Sequence, residues 1–226
     1  MADRLTTLRY ALAFKGLPFR TEWVEYPDVE ALCKKIGAKP TEKKDDGRDH
    51  YTFPVIYDPN TDRVIEDSSN IARYLEKTYP DTPRLFPKGS NALQRAFEAA
   101  MGEIVNPPTF MIYIHATAAN LFEPSQKYFK ETRDGLFPAP EENESNWKKS
   151  EEAFKLVSSW LERNDGSGPY VMGETPSYAD FIVMSRLVWA KALFGVESAE
   201  WARISSWEGG KWADYAKLFE EYEIMN

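Results

Sequence analysis

The sequence predicts a two-part fold, mixed α/β up to about Leu85 and all-helical from about Asn91. Three observations support it. Alternating apolar residues and turn residues in the first part form a hairpin pattern. Apolar residues recur at helical spacing through the second part. Between them, "YPDTPRLFPKGSNA" (residues 79–92) holds three prolines and a glycine and has little periodicity, so we expect domains at residues 1–85 and 91–226.

The first part is predicted to alternate helices and strands. The predicted elements are a helix from Asp3 to Lys15, a strand from Phe19 to Tyr26, a short helix over residues 29–37, a polar loop from Ala38 to His50, hairpin strands at Thr52–Tyr57 and Arg63–Glu66, and a helix at Ser68–Lys77. Pro54 cannot donate to a strand ladder, so it is expected at an edge, a bulge or a strand start.

The second part reads as helix after helix. Pro107 and Pro108 are expected to interrupt one of them, because proline lacks the N–H that a helix interior uses. The pattern Ser177-x-x-Asp180 opens the most apolar helix of the chain. Such a capping box pairs the serine side chain with the backbone N–H of the aspartate, and the aspartate side chain with the serine N–H. We therefore expect this helix to be central.

Composition narrows the classes of function. The net charge is −8 and the sequence pI about 5.0, which argues against nucleic acid or an anionic membrane as partner. No apolar run reaches the roughly 20 residues that span a bilayer. The single cysteine, Cys33, excludes an internal disulfide and is expected to be buried. His50 and His115 lie far apart, so no metal site is expected. A soluble, cytoplasmic protein fits these properties.

The stretch "VIEDSSNIARYLE" (residues 64–76) places an acid and two hydroxyls where a strand becomes a helix. One side chain suffices to cap a helix. The carboxylate, the hydroxyls and the free helix N–H groups of Asp67, Ser68 and Ser69 would equally suit a zwitterionic ligand. The local sequence leaves both interpretations open.

Three of these features together resemble the cytosolic glutathione transferases. They are Phe53-Pro54 at a strand, Asp67-Ser68 at a helix start, and the Ser177–Asp180 box. That family combines a thioredoxin-like domain with an all-helical domain. The resemblance is closest to the fungal etherase-like class related to bacterial lignin β-etherases, and it is carried by "RYALAFKGLPFRTEWVEYPDVEALCKKIGAKPT", "DSSNIARYLEKTYPDTPRLFP", "KYFKETRD" and "WEGGKWADYAKLFEEYE".

The resemblance implies a glutathione site. Pro54 would follow a cis bond, with the backbone of Phe53 pairing with the cysteinyl part of glutathione; the alternative is a trans proline at a sheet edge. Asp67 would meet the γ-glutamyl ammonium and Ser68 its carboxylate, the alternative being a helix cap alone. Lys39, with His50 behind it, would meet the glycyl carboxylate unless it is simply solvated.

A second, apolar substrate would bind to the first half of the helical domain. Phe110, Tyr113 and His115 are the candidates for its pocket, although aromatic residues at helical spacing more often form core.

The chain departs from the family at its beginning. The family has a strand and a catalytic serine before the first helix; here the serine position falls at about Ala2 and the strand would lie before Met1. Thr6 or Thr7 would have to replace the serine as the hydroxyl that holds the glutathione sulfur. An incomplete chain, a sheet that closes up around Phe19–Tyr26, or a partner covering the gap would each explain the departure.

Three functions remain open. The first is a glutathione-dependent transferase or etherase attacking an apolar electrophile or an aryl ether, as in detoxification. The second is a ligand-binding protein of the same fold without conjugating activity. The third is a glutathione-dependent lyase or isomerase of secondary metabolism. The expected partners are glutathione and an apolar or aromatic small molecule, and the family resemblance implies a homodimer.

Overall fold

The structure is a computed structural model that describes residues 2–44, 46–164 and 166–223. Its first part is thioredoxin-like, with small sheets between helices. In chain order the elements are α1 (Ala2–Phe14), α2 (Val29–Ile36), β1 (Glu42–Lys43), β2 (Asp49–His50), β3 (Val55–Asp58), β4 (Arg63–Glu66) and α3 (Ser68–Thr78). The second part is helical and comprises α4 (Asn91–Ala100), α5 (Asn106–Ala119), α6 (Glu123–Thr132), α7 (Asn143–Leu161), α8 (Tyr178–Phe194), α9 (Ala199–Lys217) and α10 (Glu220–Glu223).

The β3–β4 hairpin is the scaffold of the first part. Its strands are antiparallel, in a register that runs from Val55 opposite Glu66 to Asp58 opposite Arg63. Successive side chains of a strand point to opposite faces. Accordingly Ile56 packs with α1 and α3 on one face, while Val55 packs with α2 on the other. The hairpin is thus covered on both sides.

The strand predicted over Phe19–Tyr26 is wrong, since residues 17–25 form no strand. An alternating pattern can be read from the chain, but a ladder needs a partner strand beside it. Among the described residues no strand pairs with this segment, so the alternative in which the sheet closes up around it does not occur. The segment is instead fixed at its end, where the Tyr26 N–H donates to the Ser125 hydroxyl of α6 at 2.8 Å.

The two prolines do not break the helix that they were expected to interrupt. They occupy the first turn of α5, where proline costs no intrahelical hydrogen bond. The turn before them, Met101–Val105, is a π-helix that joins α4 to α5. The wider π turn absorbs the discontinuity.

Helix α8 is central, as predicted. Asp180 is fully buried and accepts the Ser177 N–H at 2.8 Å, which forms the predicted capping box. The same carboxylate accepts the Val171 N–H at 2.7 Å and the Tyr215 hydroxyl at 2.6 Å. Burial raises the pKa of Asp180, and these donors oppose that shift. The network fixes the start of α8 within the core.

The start of α8 also contacts the first part of the chain. Leu85, in the connection between α3 and α4, accepts the Tyr178 N–H on its carbonyl oxygen at 2.9 Å. The Thr7 hydroxyl of α1 donates to the carbonyl oxygen of Phe181.

Within the described residues, no helix is long and apolar enough to cross a membrane.

Candidate functional site

The peptide bond between Phe53 and Pro54 is cis, as the family resemblance implied. Pro54 immediately precedes β3, and its carbonyl oxygen accepts the backbone N–H of Asp67 at 3.3 Å. Asp67 immediately follows β4. The hairpin therefore brings together two residues predicted for the site, although they are separated by its whole length.

Asp67 caps α3 and is only partly used in doing so. Its Oδ1 atom accepts the N–H groups of Ser69 and Asn70, each at 3.1 Å. Its Oδ2 atom lies 3.8 Å from the guanidinium of Arg4, and the Asp67 side chain stays 29% exposed. One carboxylate oxygen thus closes the helix while the other remains accessible to a ligand cation.

The backbone of Asp67 is strained. Its φ is 68° and its ψ is 129°, a combination that residues with a Cβ rarely adopt. Such conformations cost about 1–3 kcal/mol and gather at ligand sites, where the surrounding structure enforces them. In this conformation Asp67 lies at the start of α3, and its carboxylate reaches the backbone N–H groups of the first helical turn.

Two further groups lie at this point. The Ser68 hydroxyl accompanies the first N–H of α3, and Ser68 is only 4% exposed. The backbone of Phe53 forms no hydrogen bond with the described residues. A carboxylate oxygen, a serine hydroxyl and an unpaired peptide group therefore lie around the cis-proline turn. This donor and acceptor set suits an amino-acid head group joined to a peptide.

The backbone of Lys39 lies at the same edge of the hairpin as Asp67, next to Glu66. Its N–H donates to Glu66 Oε1 at 2.6 Å, and its side chain is exposed. His50, which was placed behind it, sits on β2 with Nδ1 3.7 Å from Glu42 Oε2. Lys39 is thus held next to the end of β4, while His50 is engaged with β1.

The two threonines differ in their surroundings. Thr7 is 3% exposed. Its hydroxyl donates to the carbonyl oxygen of Phe181 in α8 at 3.4 Å. Thr6 is half-buried on the neighbouring position of α1 and makes contacts of its own. The predicted serine position at Ala2 falls where the structure describes no side chain, and Met1 lies outside the described residues.

The three candidates for the apolar pocket do not share one surface. Tyr113 is fully buried, and its hydroxyl donates to the carbonyl oxygen of Arg186 at 3.3 Å. Phe110 is half-buried against Trp189, with ring centroids 6.4 Å apart. His115 is exposed. Phe110 and Tyr113 therefore pack towards the helical core, and His115 faces away from it.

His115 lines a cavity of about 500 Å³ between α5 and α6. Its ring meets Phe137 edge-on at 5.2 Å, and its Nε2 atom lies 3.2 Å from the Pro138 carbonyl oxygen. The other lining residues are Ala118, Ala119, Gln126, Lys130 and Asp134. The cavity is lined by both apolar and charged residues, and it lies in the helical part of the chain.

Cys33 is a structural residue and not a candidate nucleophile. Cys33 is 1% exposed, and burial raises the pKa of its thiol, with Glu66 raising it further. A buried thiol of raised pKa is a poor nucleophile. No group of three or more potential metal ligands occurs in the part of the chain that the structure describes.

Sequence reasoning missed two residues at this edge. Arg4, in the first turn of α1, reaches Asp67 across the domain. Tyr178 is buried at the start of α8; burial raises the pKa of its hydroxyl, the charge of Glu98 raises it further, and Ser68 opposes the rise. Only the capping box pointed to the neighbourhood of Tyr178. Nothing in the local sequence of Arg4 signals its contact, because the pairing spans most of the first part.

Comparison with known proteins identifies the relatives of this chain. The family description "Glutathione S-transferase, N-terminal domain" matches residues 6–78. The description "Glutathione S-transferase, C-terminal domain" matches residues 92–222. Together they cover both parts of the fold.

Solved structures of fungal proteins superpose on the whole chain. Glutathione transferase GSTFuA3 from Phanerochaete chrysosporium is 46% identical with a TM-score of 0.94, over 99% of this chain and 91% of that one. CsGST63524 from Ceriporiopsis subvermispora, a glutathione S-transferase solved in complex with glutathione, is 39% identical with a TM-score of 0.94, over 99% of this chain and 92% of that one.

A curated fungal relative matches as well. The glutathione S-transferase-like protein ustS of Aspergillus flavus is 30% identical over 211 residues, which cover 84% of this chain and 74% of that protein.

Proposed function

This chain belongs to the glutathione S-transferase family, and from that premise we propose that it is a glutathione-dependent transferase or etherase. In this proposal glutathione is the co-substrate. The chain activates its thiol for attack on an apolar electrophile, or on the alkyl carbon of an aryl ether, where the new C–S bond replaces the C–O bond and a phenolate leaves. A structural relative solved in complex with glutathione supports the choice of co-substrate.

The observation that carries the proposal is the joining of Pro54 to Asp67 at the hairpin's open end. The γ-glutamyl ammonium would bind Asp67 Oδ2, displacing the distant guanidinium of Arg4. The γ-glutamyl carboxylate would bind the Ser68 N–H and hydroxyl. The cysteinyl peptide would pair with the backbone of Phe53, as in an added strand residue. Lys39 remains our candidate for the glycyl carboxylate.

The chemistry requires a thiolate. A shift of about two units from the ordinary thiol pKa of about 8.5 needs roughly 2.7 kcal/mol of preference for the charged form. The first turn of α1 lies near this edge, since Arg4 is 3.8 Å from Asp67, and the amino terminus of a helix carries a partial positive charge. Arg4 in its first turn adds a full charge. Thr6 and Thr7 remain our candidates for the hydroxyl that holds the sulfur; the Thr7 hydroxyl also donates to the carbonyl oxygen of Phe181.

The second substrate is proposed to be apolar or aromatic and to bind against the helical domain. The cavity at His115 offers a volume of about 500 Å³ with Phe137 as an aromatic wall. An aromatic ring can stack there, while Lys130 and Asp134 at the rim accommodate polar substituents.

The test is turnover with glutathione and two substrates. A chloro-dinitrobenzene reports aromatic substitution, and a fluorogenic aryl ether reports ether cleavage. Product formation that depends on glutathione, and that is reduced by Asp67→Asn, is the expected result. Tyr57→Phe is the control, since Tyr57 is exposed on β3. Glutathione binding without turnover of either substrate would contradict the enzyme assignment.

One observation favours a second function, a ligand-binding protein of this fold without conjugating activity. The Thr7 hydroxyl, one of only two hydroxyls predicted for the sulfur, is turned into the core. In that case glutathione would bind, yet the pKa of its thiol would stay ordinary. Ultraviolet titration of bound glutathione for thiolate absorbance separates the two functions. The main proposal also includes a cytoplasmic location and a homodimer. Sedimentation equilibrium tests for the homodimer, because it measures the mass of the assembly.

A further inference from the structure

Arg133 immediately follows α6, and its guanidinium lies against aromatic rings. The guanidinium carbon is 4.1 Å from the ring centroid of Phe129 and 5.9 Å from that of Tyr26. The Tyr26 ring in turn stacks on the ring of Tyr128, with centroids 6.2 Å apart and planes inclined by 6°. Tyr26 belongs to the first part of the chain and the other three residues to the helical part. Arg133 therefore lies where the two parts meet.

Most hydrogen-bond donors of this guanidinium are unused. A guanidinium carries five N–H donors and keeps its charge at any pH of interest. The Nη1 atom of Arg133 donates to the hydroxyl oxygen of Thr132 at 2.9 Å. Within residues 2–44, 46–164 and 166–223, no other oxygen accepts from the guanidinium, and no carboxylate lies within ion-pair distance of it. The site thus holds a cation whose remaining donors could bind an anion.

The guanidinium is also partly removed from water. Arg133 is half-buried, and burial lowers the pKa of its side chain, while Tyr26 and Tyr128 act in the opposite direction. The carbonyl end of a helix attracts cations, which accounts for an arginine just after α6. It does not account for the burial, because a charge that leaves water without a partner costs free energy. A bound anion would offset that cost.

The acidic neighbour of Tyr26 is engaged elsewhere. The Glu25 carboxylate accepts the hydroxyl of Ser125 in α6. The oxygen of the same hydroxyl accepts the Tyr26 N–H at 2.8 Å. These bonds hold Tyr26 against α6 without any contribution from Arg133. The aromatic wall beside the guanidinium is therefore formed before a ligand binds.

We propose that Arg133 binds the carboxylate of an aromatic acid at the boundary between the two parts of the chain. The planar guanidinium can donate two parallel hydrogen bonds to a carboxylate. One cation beside the negative end of a helix favours a ligand with a single negative charge. The half-buried rings of Tyr26 and Tyr128 favour an aromatic body. This site shares no residue with the glutathione site proposed at Asp67.

The experiment is calorimetric titration of the full chain with 2-naphthoate and with its neutral amide, 2-naphthamide, in the absence of glutathione. The two probes share their rings and differ in charge. The parent chain is expected to bind 2-naphthoate about tenfold more tightly, as hydrogen bonds from a half-buried cation to a charged acceptor would give. Arg133→Met should reduce 2-naphthoate affinity to that of the amide and leave 2-naphthamide affinity unchanged.

Two further variants separate the guanidinium from charge in general. Lys127→Met is the matched control, since Lys127 lies on the same helix, is exposed, and has Glu131 at 4.0 Å. It changes the net charge by the same amount, and its affinity for 2-naphthoate should equal that of the parent. Arg133→Lys keeps the charge but loses the planar fork. It should bind 2-naphthoate more weakly than the parent and more tightly than Arg133→Met.

Several results would overturn the proposal. One is equal binding of the two probes by the parent chain, or binding of neither at millimolar concentration. Another is parent-like 2-naphthoate affinity in both Arg133 variants, an equal loss in Lys127→Met, or a loss of both probes together in Arg133→Met, which would indicate a structural role. Added glutathione should leave 2-naphthoate affinity unchanged, and competition between them would exclude a separate site. Because the main titrations contain no glutathione, their result is independent of the proposed function.

Discussion

The carbonyl oxygen of Pro54 accepts the backbone N–H of Asp67 at 3.3 Å. The pair continues the β3–β4 ladder by one step beyond Val55 and Glu66. Through it the cis-proline turn and the start of α3 become one rigid unit. The chemistry proposed for this chain depends on that unit, because its two halves would bind different ends of one tripeptide.

The substitution Asp67→Asn separates helix capping from ligand binding. Asparagine also caps helices and tolerates positive φ, so the cap on Ser69 and Asn70 is retained. The negative charge at Oδ2 is lost. We expect glutathione affinity to fall about 10- to 100-fold, corresponding to roughly 1.5–3 kcal/mol for a charge-assisted bond, with little change in the thermal midpoint.

The companion substitution Asp67→Gly removes both the charge and the strain. Because φ is 68° at this position, glycine relieves a conformational cost that aspartate bears. We expect stability in urea to be equal or higher and glutathione affinity to be lost. A clear loss of stability would mean that the cap, and not a ligand, is the reason for this conformation.

The substitution Lys15→Met tests the contact between α3 and the residue that follows α1. The Lys15 ammonium has no exposed surface; it lies 3.2 Å from Glu76 and 3.1 Å from the Pro83 carbonyl oxygen. Removing one member of a buried pair costs about 3–5 kcal/mol, and the 20% exposure of Glu76 lowers this to about 2–4. Urea unfolding measures it. Lys34→Met, at an exposed pair, is the control and should change stability little.

The substitution Asp58→Asn should matter less as the pH falls. Burial opposes ionisation of Asp58, but hydrogen bonds from Tyr74 and Tyr79, both 2.6 Å long, hold the pKa of its carboxyl below the ordinary 3.8. A lowered pKa in the folded state contributes stability that is present above the unfolded value and is lost as the pH falls through the folded one.

Unfolding in urea between pH 7 and pH 3 measures this effect. We expect Asp58→Asn to cost about 1–3 kcal/mol at pH 7 and progressively less below pH 4. The control is Asp62→Asn in the same turn, whose carboxylate is exposed and accepts the Tyr57 hydroxyl at 3.1 Å. A cost for Asp58→Asn that did not vary with pH would contradict the assignment.

Cys33 should be inert in the native protein. Because burial raises the pKa of its thiol, a disulfide reagent at pH 8 should label it slowly, and should label one thiol per chain after unfolding in guanidinium. The unfolded thiol ionises near 9.0 and the folded one only above that. Stability should therefore fall as the pH rises through 9. Rapid native labelling would show that the thiol is exposed.

Much of this edge could be predicted from local sequence. The strand Arg63–Glu66 and the start of α3 at Ser68 lie where turn residues and capping residues put them. The capping box at Ser177 formed for the same reason. Each of these features is settled within a few residues along the chain, where propensity and side-chain bonds act.

The structural predictions that failed concern features that depend on residues far away along the chain. The alternation in Phe19–Tyr26 is compatible with a strand, but only a neighbouring strand creates a ladder. Pro107 was expected to interrupt a helix because proline lacks a backbone N–H. The π turn that precedes α5 and lets the helix continue gives no signal in the spacing of apolar residues. The hydrogen bond from the Tyr178 N–H to the Leu85 carbonyl oxygen joins the two parts of the chain. Such contacts follow from the packing of whole elements, which a single sequence does not reveal.

The most direct measurement is a crystal structure of the chain with glutathione bound. The account predicts the γ-glutamyl ammonium within about 3.2 Å of Asp67 Oδ2, its carboxylate on the Ser68 hydroxyl, and the cysteinyl peptide paired with the backbone of Phe53. Glutathione bound elsewhere, or a γ-glutamyl group that makes no contact with Asp67, would contradict it.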